Sequence, residues 1–199
     1  MRNLVLASAS PRRTQILNGI GVGHVAMPAD IDESRRVDEV PEDYVVRMAK
    51  RKAYAVAERL ADGDIAVLGA DTTVTLGEQI FGKPDDENSA IEMLLQLSGQ
   101  THRVLSAVAV TCGSDARTEL VESTVTLRSI SLLEARRYWA TGEPRDKAGG
   151  YAIQGKASAF VTAMTGSYTG IVGLPVSETL ALLAAIDIVP EWLLGVERG

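Results

Sequence analysis

Asp71 ends the apolar run IAVLGAD, residues 65–71. A carboxylate at the end of a buried strand has few structural uses beyond capping, and strand ends are where the sites of α/β proteins collect. Asp71 is therefore a candidate general base or metal ligand. The segment GEQIFGKP, residues 77–84, holds Lys83 between Gly82 and Pro84 just ahead of a helical pattern, a placement suited to meeting an anion. It falls short of the phosphate-cradling loop GxxxxGK[ST]: Pro84 stands where a hydroxyl would reach Mg²⁺, and Gly77 belongs to a hairpin tip. The chain is not a P-loop NTPase. SASPRR, residues 8–13, sets two hydroxyls and the guanidinium groups of Arg12 and Arg13 where a strand gives way to a helix. Helix N-terminal amides and arginine forks both bind phosphate. Lys52 on a long helix and Glu33 in a charged loop are ordinary taken singly. His24 and His102 lack metal-ligand spacing and read as structural, and the single Cys112 reads as a small strand hydrophobe.

These residues need a scaffold of strands and helices. NLVLA (3–7), HVAMP (24–28) and IAVLGADTTVTL (65–76) are strand-like, and GEQ turns the last of these into a hairpin. Two long strand patterns follow at 101–112 and 118–130, and AFVTAM (159–164) supplies another. Ser10 and Pro11 open a helix that Gly19 and Gly21 close. The spacing predicts a helix over about 41–60, with Tyr44, Val45, Met48, Ala55 and Val56 on one face and Gly63 just beyond it. Further helices are expected at 85–99, at 131–142 with Ser131 as cap, and from about Val176 to Ala185. The stretch TGSYTGIVGLP reads as a turn. Helices alternate with strands, but several long strands follow one another directly, which favours a mixed rather than a fully parallel sheet.

With 199 residues, 46% apolar and 23% charged, the chain can bury a real core in one domain. A net charge of −6 argues against a general nucleic-acid binder, whose affinity comes from neutralising phosphates. No run approaches the roughly 20 apolar residues of a membrane span. The opening MRNLVLASAS has a leader-like start, but its apolar run is far shorter than the roughly 7–15 residues of a signal h-region. The expectation is a soluble cytoplasmic protein without nucleic-acid or membrane partners.

Seven segments occur in order across nearly the whole chain: LASASPRR (6–13), AKRKA (49–53), LGADT (68–72), GKP (82–84), LSGQTHRV (97–104), DKAGGYAIQG (146–155) and GSYTGIVGLPVSET (166–179). Together they resemble the Maf family of nucleoside triphosphate pyrophosphatases. The resemblance implies one domain over residues 1–199, with an α/β fold similar to the inosine triphosphate pyrophosphatases: a mixed, elongated, twisted sheet flanked by helices, with two lobes around a central cleft. It implies hydrolysis between the α- and β-phosphates with help from Mg²⁺ or Mn²⁺, in the branch acting on dTTP and UTP. Modified or non-standard pyrimidine nucleotides are a second candidate substrate class.

In that reading Ser8, Arg13, Lys52 and Lys83 surround the phosphates. Arg12, Thr72 and Gln154 select the base, and Gln154 can both donate to and accept from the O4/N3 edge of uracil. Glu33 is the candidate metal ligand, with Asp71 either a second ligand or the general base for water; the resemblance implies the base. A homodimer is implied as well. The competing expectation is a nucleotide-binding regulator of cell division and septum formation with little turnover. Two positions depart from the family pattern, Arg145 and Ser158, and both fall near the segment assigned to the base.

Overall fold

The computed structural model describes residues 3–194, so the first two residues of the leader-like opening lie outside it. Seven strands form one sheet in the order β2-β1-β3-β5-β6-β7, with β4 paired to β3 beside this path. The strands are β1 (Leu4–Leu6), β2 (Val25–Ala26), β3 (Ala66–Leu76), β4 (Gln79–Phe81), β5 (Thr101–Cys112), β6 (Asp115–Leu127) and β7 (Val161–Thr165). β1 runs parallel to both β2 and β3, whereas every other pairing is antiparallel. This is the mixed sheet that the consecutive long strands predict.

β3 is the strand that organises the molecule, because its outer edge changes partner halfway along. β1 pairs with its first part and ends at Leu6 opposite Leu68; β4 pairs with its last part and begins at Phe81 opposite Val74. Among the described residues, Gly69 to Thr73 have no ladder partner on that edge. On the other edge β5 pairs continuously from Val67 to Thr75, which holds the unpartnered stretch straight.

Helices cover both faces. They are α1 (Pro11–Gly19), α2 (Pro41–Leu60), α3 (Glu87–Leu97), α4 (Leu132–Ala140), α5 (Tyr168–Val172) and α6 (Val176–Ala184). Side chains alternate across a strand, so Leu4, Leu6, Ala66 and Leu68 meet Leu17 of α1 and Leu183 of α6, while Val5, Ala7 and Val67 meet Val45, Ala49 and Val56 of α2. A third cluster joins the far ends of β3, β5 and β6 to α3 and α4 through Val74, Leu94, Val104, Val125 and Tyr138. The first two clusters make one lobe and the third makes the other. The open edge of β3 lies between them.

Local chemistry accounts for the helix ends. Asp86 and Ser131 each form a reciprocal capping box, with Ser89 and Glu134, worth about 1 kcal/mol apiece. The α2 bounds match the sequence pattern, but the buried face is Val45, Met48, Ala49, Lys52, Ala53 and Val56; Tyr44 and Ala55 sit at its margins. Ala61 rather than Gly63 takes the left-handed residue that ends α2. Ser10 occupies the α1 cap without a side-chain cap bond; its own amide donates to Ser8 Oγ instead. The stretch read as a turn at 165–175 contains α5, capped by Ser167. Its brevity, with Gly170 inside it and Gly173 at its end, hides it from any helical periodicity.

α2 crosses β3 at Gly69, where a Cβ would stand 2.2 Å from the Ala49 carbonyl oxygen and 2.7 Å from the Ala53 amide nitrogen. Both are helix backbone atoms and cannot yield without moving α2. Gly69→Ala is therefore expected to lower stability by about 3 kcal/mol in chemical denaturation, and to lower activity further in the surviving folded fraction by withdrawing Lys52 from Asp71.

Candidate active site

Asp71 and Thr72 are neighbours in the unpartnered part of β3, so their side chains leave opposite faces of the sheet. Asp71 points to the α2 side, as Val67 and Gly69 do. It is 7% exposed, and Lys52 Nζ donates to its Oδ1 at 2.7 Å. Lys52 reaches it because Ala49, Lys52, Ala53 and Val56 share the buried face of α2 at three- and four-residue spacing. The same ammonium lies 2.9 Å from Glu33 Oε1, on the loop after β2. One cation thus draws together two carboxylates distant in the chain. Thr73 Oγ1 donates to the other Asp71 oxygen, Oδ2, at 3.4 Å. Burial lifts the Asp71 carboxyl above its ordinary value of 3.8, against the opposing pull of Lys52 and Arg13.

Thr72 points to the other face. Its hydroxyl lies 3.0 Å from Ser106 Oγ, and Ser106 donates to the Gly170 carbonyl at 2.7 Å. Arg13 is buried here. Its Nε donates to the Gly173 carbonyl at 2.8 Å, its Nη1 to Ser8 Oγ at 3.1 Å and its Nη2 to Thr72 Oγ1 at 3.5 Å. Burial lowers the Arg13 pKa, with Asp71 opposing; a guanidinium starts so high that it keeps its charge at neutral pH. Arg12 faces the rim and pairs with Asp146 at 3.2 Å. Lys83 is exposed beyond β4, and Gln154 is exposed on the loop before the 3₁₀ turn at Lys156–Phe160. Neither side chain forms a hydrogen bond or ion pair among the described residues.

All nine residues singled out from the sequence line one cavity of about 680 Å³ between the lobes. They arrive from the loop after β1, α1, the loop after β2, α2, β3, the segment after β4 and the 151–155 loop. Around it five cationic side chains (Arg12, Arg13, Lys52, Lys83, Lys147) face four carboxylates (Asp30, Glu33, Asp71, Asp146). The site is close to neutral despite the acidic chain. Arg145 and Ser158, the departures from the family pattern, do not line the cavity; the Arg145 guanidinium lies 5.3 Å from the centre of the Trp139 ring instead.

The donor set suits a hard divalent cation, since Asp71 and Glu33 already converge on a positive charge. Among the described residues no three His, Cys, Asp or Glu side chains gather. Two carboxylates would leave positions for water and ligand oxygens.

Some contributors were not evident in the sequence. Gly173 acts through its backbone carbonyl, which no residue type announces. Ser106 lies mid-strand among apolar neighbours. Asp146 and Lys147, which contact one another, open the segment DKAGGYAIQG, and their paired opposite charges are their only trace in the sequence. Tyr44 lines the cavity and donates to the Glu33 carbonyl at 3.0 Å.

Tyr151 also lines the cavity, with its hydroxyl 2.7 Å from His102 Nε2 and the two rings edge to face. Burial pushes the His102 imidazole down to about 4. The unfolded chain takes up that proton near 6.5, so this residue's contribution to stability is complete above pH 6.5 and declines as pH falls toward 4. Urea denaturation at pH 7.5 and pH 5 should show about 2 kcal/mol more loss in the wild type than in His102→Asn.

The family model described as Maf-like protein matches residues 3–186. A dTTP/UTP pyrophosphatase of Hahella chejuensis is 50% identical over 188 residues, covering 94% of each chain. One from Pseudoalteromonas atlantica is 47% identical over 191 residues, covering 94% of this chain and 99% of that protein. Among solved structures, the Staphylococcus aureus Ham1 protein aligns with a TM-score of 0.44 at 16% identity, covering 65% of this chain and 72% of that one.

Proposed function

The chain belongs to the Maf family, and on that premise we propose that it hydrolyses nucleoside triphosphates, dTTP and UTP foremost, to the nucleoside monophosphate and pyrophosphate. The observation that carries this reading is the convergence of nine residues from separate segments on one cavity, with buried Lys52 joining Asp71 to Glu33. A regulator that only binds nucleotide would have no need of a buried carboxylate of raised pKa beside the phosphate-binding cations.

Ser8, Arg13, Lys52 and Lys83 are assigned to the triphosphate. The hydrogen bonds from Arg13 to Ser8, Thr72 and Gly173 fix its guanidinium before substrate arrives, so no ordering is needed at the moment of reaction. Lys83, unpaired among the described residues, is free to meet the phosphates. Asp71 and Glu33 would hold a divalent cation, Mg²⁺ or Mn²⁺, which would supply neutralisation of phosphate charge and acidification of water. The near-neutral lining supports that requirement, since five cations against four carboxylates leave little surplus charge for a polyanion.

Asp71 takes the proton of the attacking water on Oδ2, the oxygen Lys52 does not engage. Lys52 keeps the carboxylate oriented, and the walls around it limit competing solvent. The proton-accepting form is the carboxylate, so turnover falls as pH drops through the raised Asp71 pKa. Arg12, Thr72 and Gln154 are assigned to the base, in a pocket that can accommodate substituents at C5 of the pyrimidine. A cytoplasmic homodimer belongs to the same reading. The family resemblance supports it, and no helix among the described residues is long and apolar enough to cross a membrane.

Purified protein should release pyrophosphate from dTTP and UTP in the presence of Mg²⁺ or Mn²⁺ and stop when a chelator is added; binding without release would favour the regulatory reading. Asp71→Asn is expected to lose about two decades in kcat while retaining triphosphate binding. The wild-type kcat/KM profile should show an acid limb that the residual activity of Asp71→Asn lacks.

A further inference from the structure

Gln154 stands in a tight turn closed by the Gly155 amide donating to the Ala152 carbonyl at 2.9 Å. Both shoulders of that turn are tied to one pair of side chains outside the cavity. On the near side, the Ala152 amide donates to the Tyr138 hydroxyl at 3.1 Å. On the far side, the Lys156 amide donates to Glu143 Oε2 at 3.0 Å and the Ala157 amide to Glu143 Oε1 at 3.3 Å. The pair is itself joined, since the Tyr138 hydroxyl donates to Glu143 Oε1 at 2.7 Å. Tyr138 comes from α4 and packs edge to face on Phe160, so the anchor is rigid.

The carboxylate can enter because residue 155 is glycine. A Cβ there would lie 2.3 Å from Glu143 Oε2. Burial works against ionisation of Glu143, yet the two amides and the tyrosine hydroxyl hold its pKa below the ordinary value. The carboxylate therefore accepts three hydrogen bonds in its charged form and fills the concave side of the loop that presents Gln154.

We infer that Glu143 and Tyr138 are positioning residues for base discrimination: they touch neither substrate nor cavity, and act by holding the Gln154 amide in the register that reads the pyrimidine edge. The inference rests on the assignment of Gln154 to the base. An amide meeting the O4/N3 edge must be placed to within a fraction of an ångström if the wrong edge is to leave its donor or acceptor unpaired. A glutamine at 143 keeps the size but loses the charge, and it turns an NH₂ group toward an amide N–H. A phenylalanine at 138 removes the hydroxyl that bridges the two shoulders.

The test is steady-state kinetics with UTP and CTP on the wild type, Glu143→Gln, Tyr138→Phe, Gln154→Ala and the double variant Glu143→Gln/Gln154→Ala. Glu143→Gln should lower the UTP-to-CTP ratio of kcat/KM roughly tenfold, through KM for UTP and with kcat within about twofold. Tyr138→Phe should shift it in the same direction by less, and it keeps the question open to measurement if Glu143→Gln fails to fold. In the Gln154→Ala background, Glu143→Gln should change the ratio no further.

Equal losses on UTP and CTP, or an additive double variant, would overturn the inference. So would a ratio moved by Gln154→Ala but not by either anchor variant, and that result would leave the Gln154 assignment standing. A ratio unmoved by Gln154→Ala would remove that assignment and the inference with it.

Discussion

A charged carboxylate buried in the middle of a sheet must be compensated, and this structure is arranged around that requirement. Removing Asp71 from water costs several kcal/mol unless an opposite charge and hydrogen bonds meet it. Lys52 supplies the charge, and it can do so only because α2 lies against β3 at Gly69, backbone on backbone. Breaking the pair from either side would strand the other ion. Burial outweighs the pull of Lys52 and Arg13, which keeps the carboxyl at a raised pKa and gives it the basicity that an exposed aspartate lacks.

The second constraint is topological. A parallel partner and a hairpin partner divide the outer edge of β3 and leave five residues between them, Gly69 to Thr73, without a ladder neighbour. Backbone polar groups are seldom left bare in a protein interior, so this gap has to be a solvent-filled cleft. Side-chain alternation then sends Asp71 toward α2 and Thr72 toward α1. One short stretch thereby presents a buried carboxylate on one face and, on the other, a hydroxyl that accepts from Arg13.

Much of this was legible in the sequence, for identifiable reasons. The bounds of α2 follow from Pro41 at its first position and the recurrence of Val45, Met48 and Val56. The β3–β4 hairpin follows from a strand pattern broken by GEQ. Eight of the nine site residues stand in five of the seven motifs, with Glu33 outside them in the loop after β2, and the structure brings all nine to one cavity. What could not be read were the contacts that leave no trace in residue type. The Gly173 carbonyl fixes Arg13 through backbone alone. α5 is too short for a period. The meaning of Gly69 appears only when a helix is seen crossing it, and that of Glu143 only when two amides from thirteen and fourteen residues later are found pointing at it.

β3 and β5 run unbroken through both lobes and hydrogen-bond to each other over almost their full lengths. Neither half of the molecule can therefore come apart while the other persists, because each contributes one end of the same ladder. The cleft is a notch in a single cooperative unit rather than a seam between two. Heat or denaturant should dismantle core and catalytic groove together in one transition.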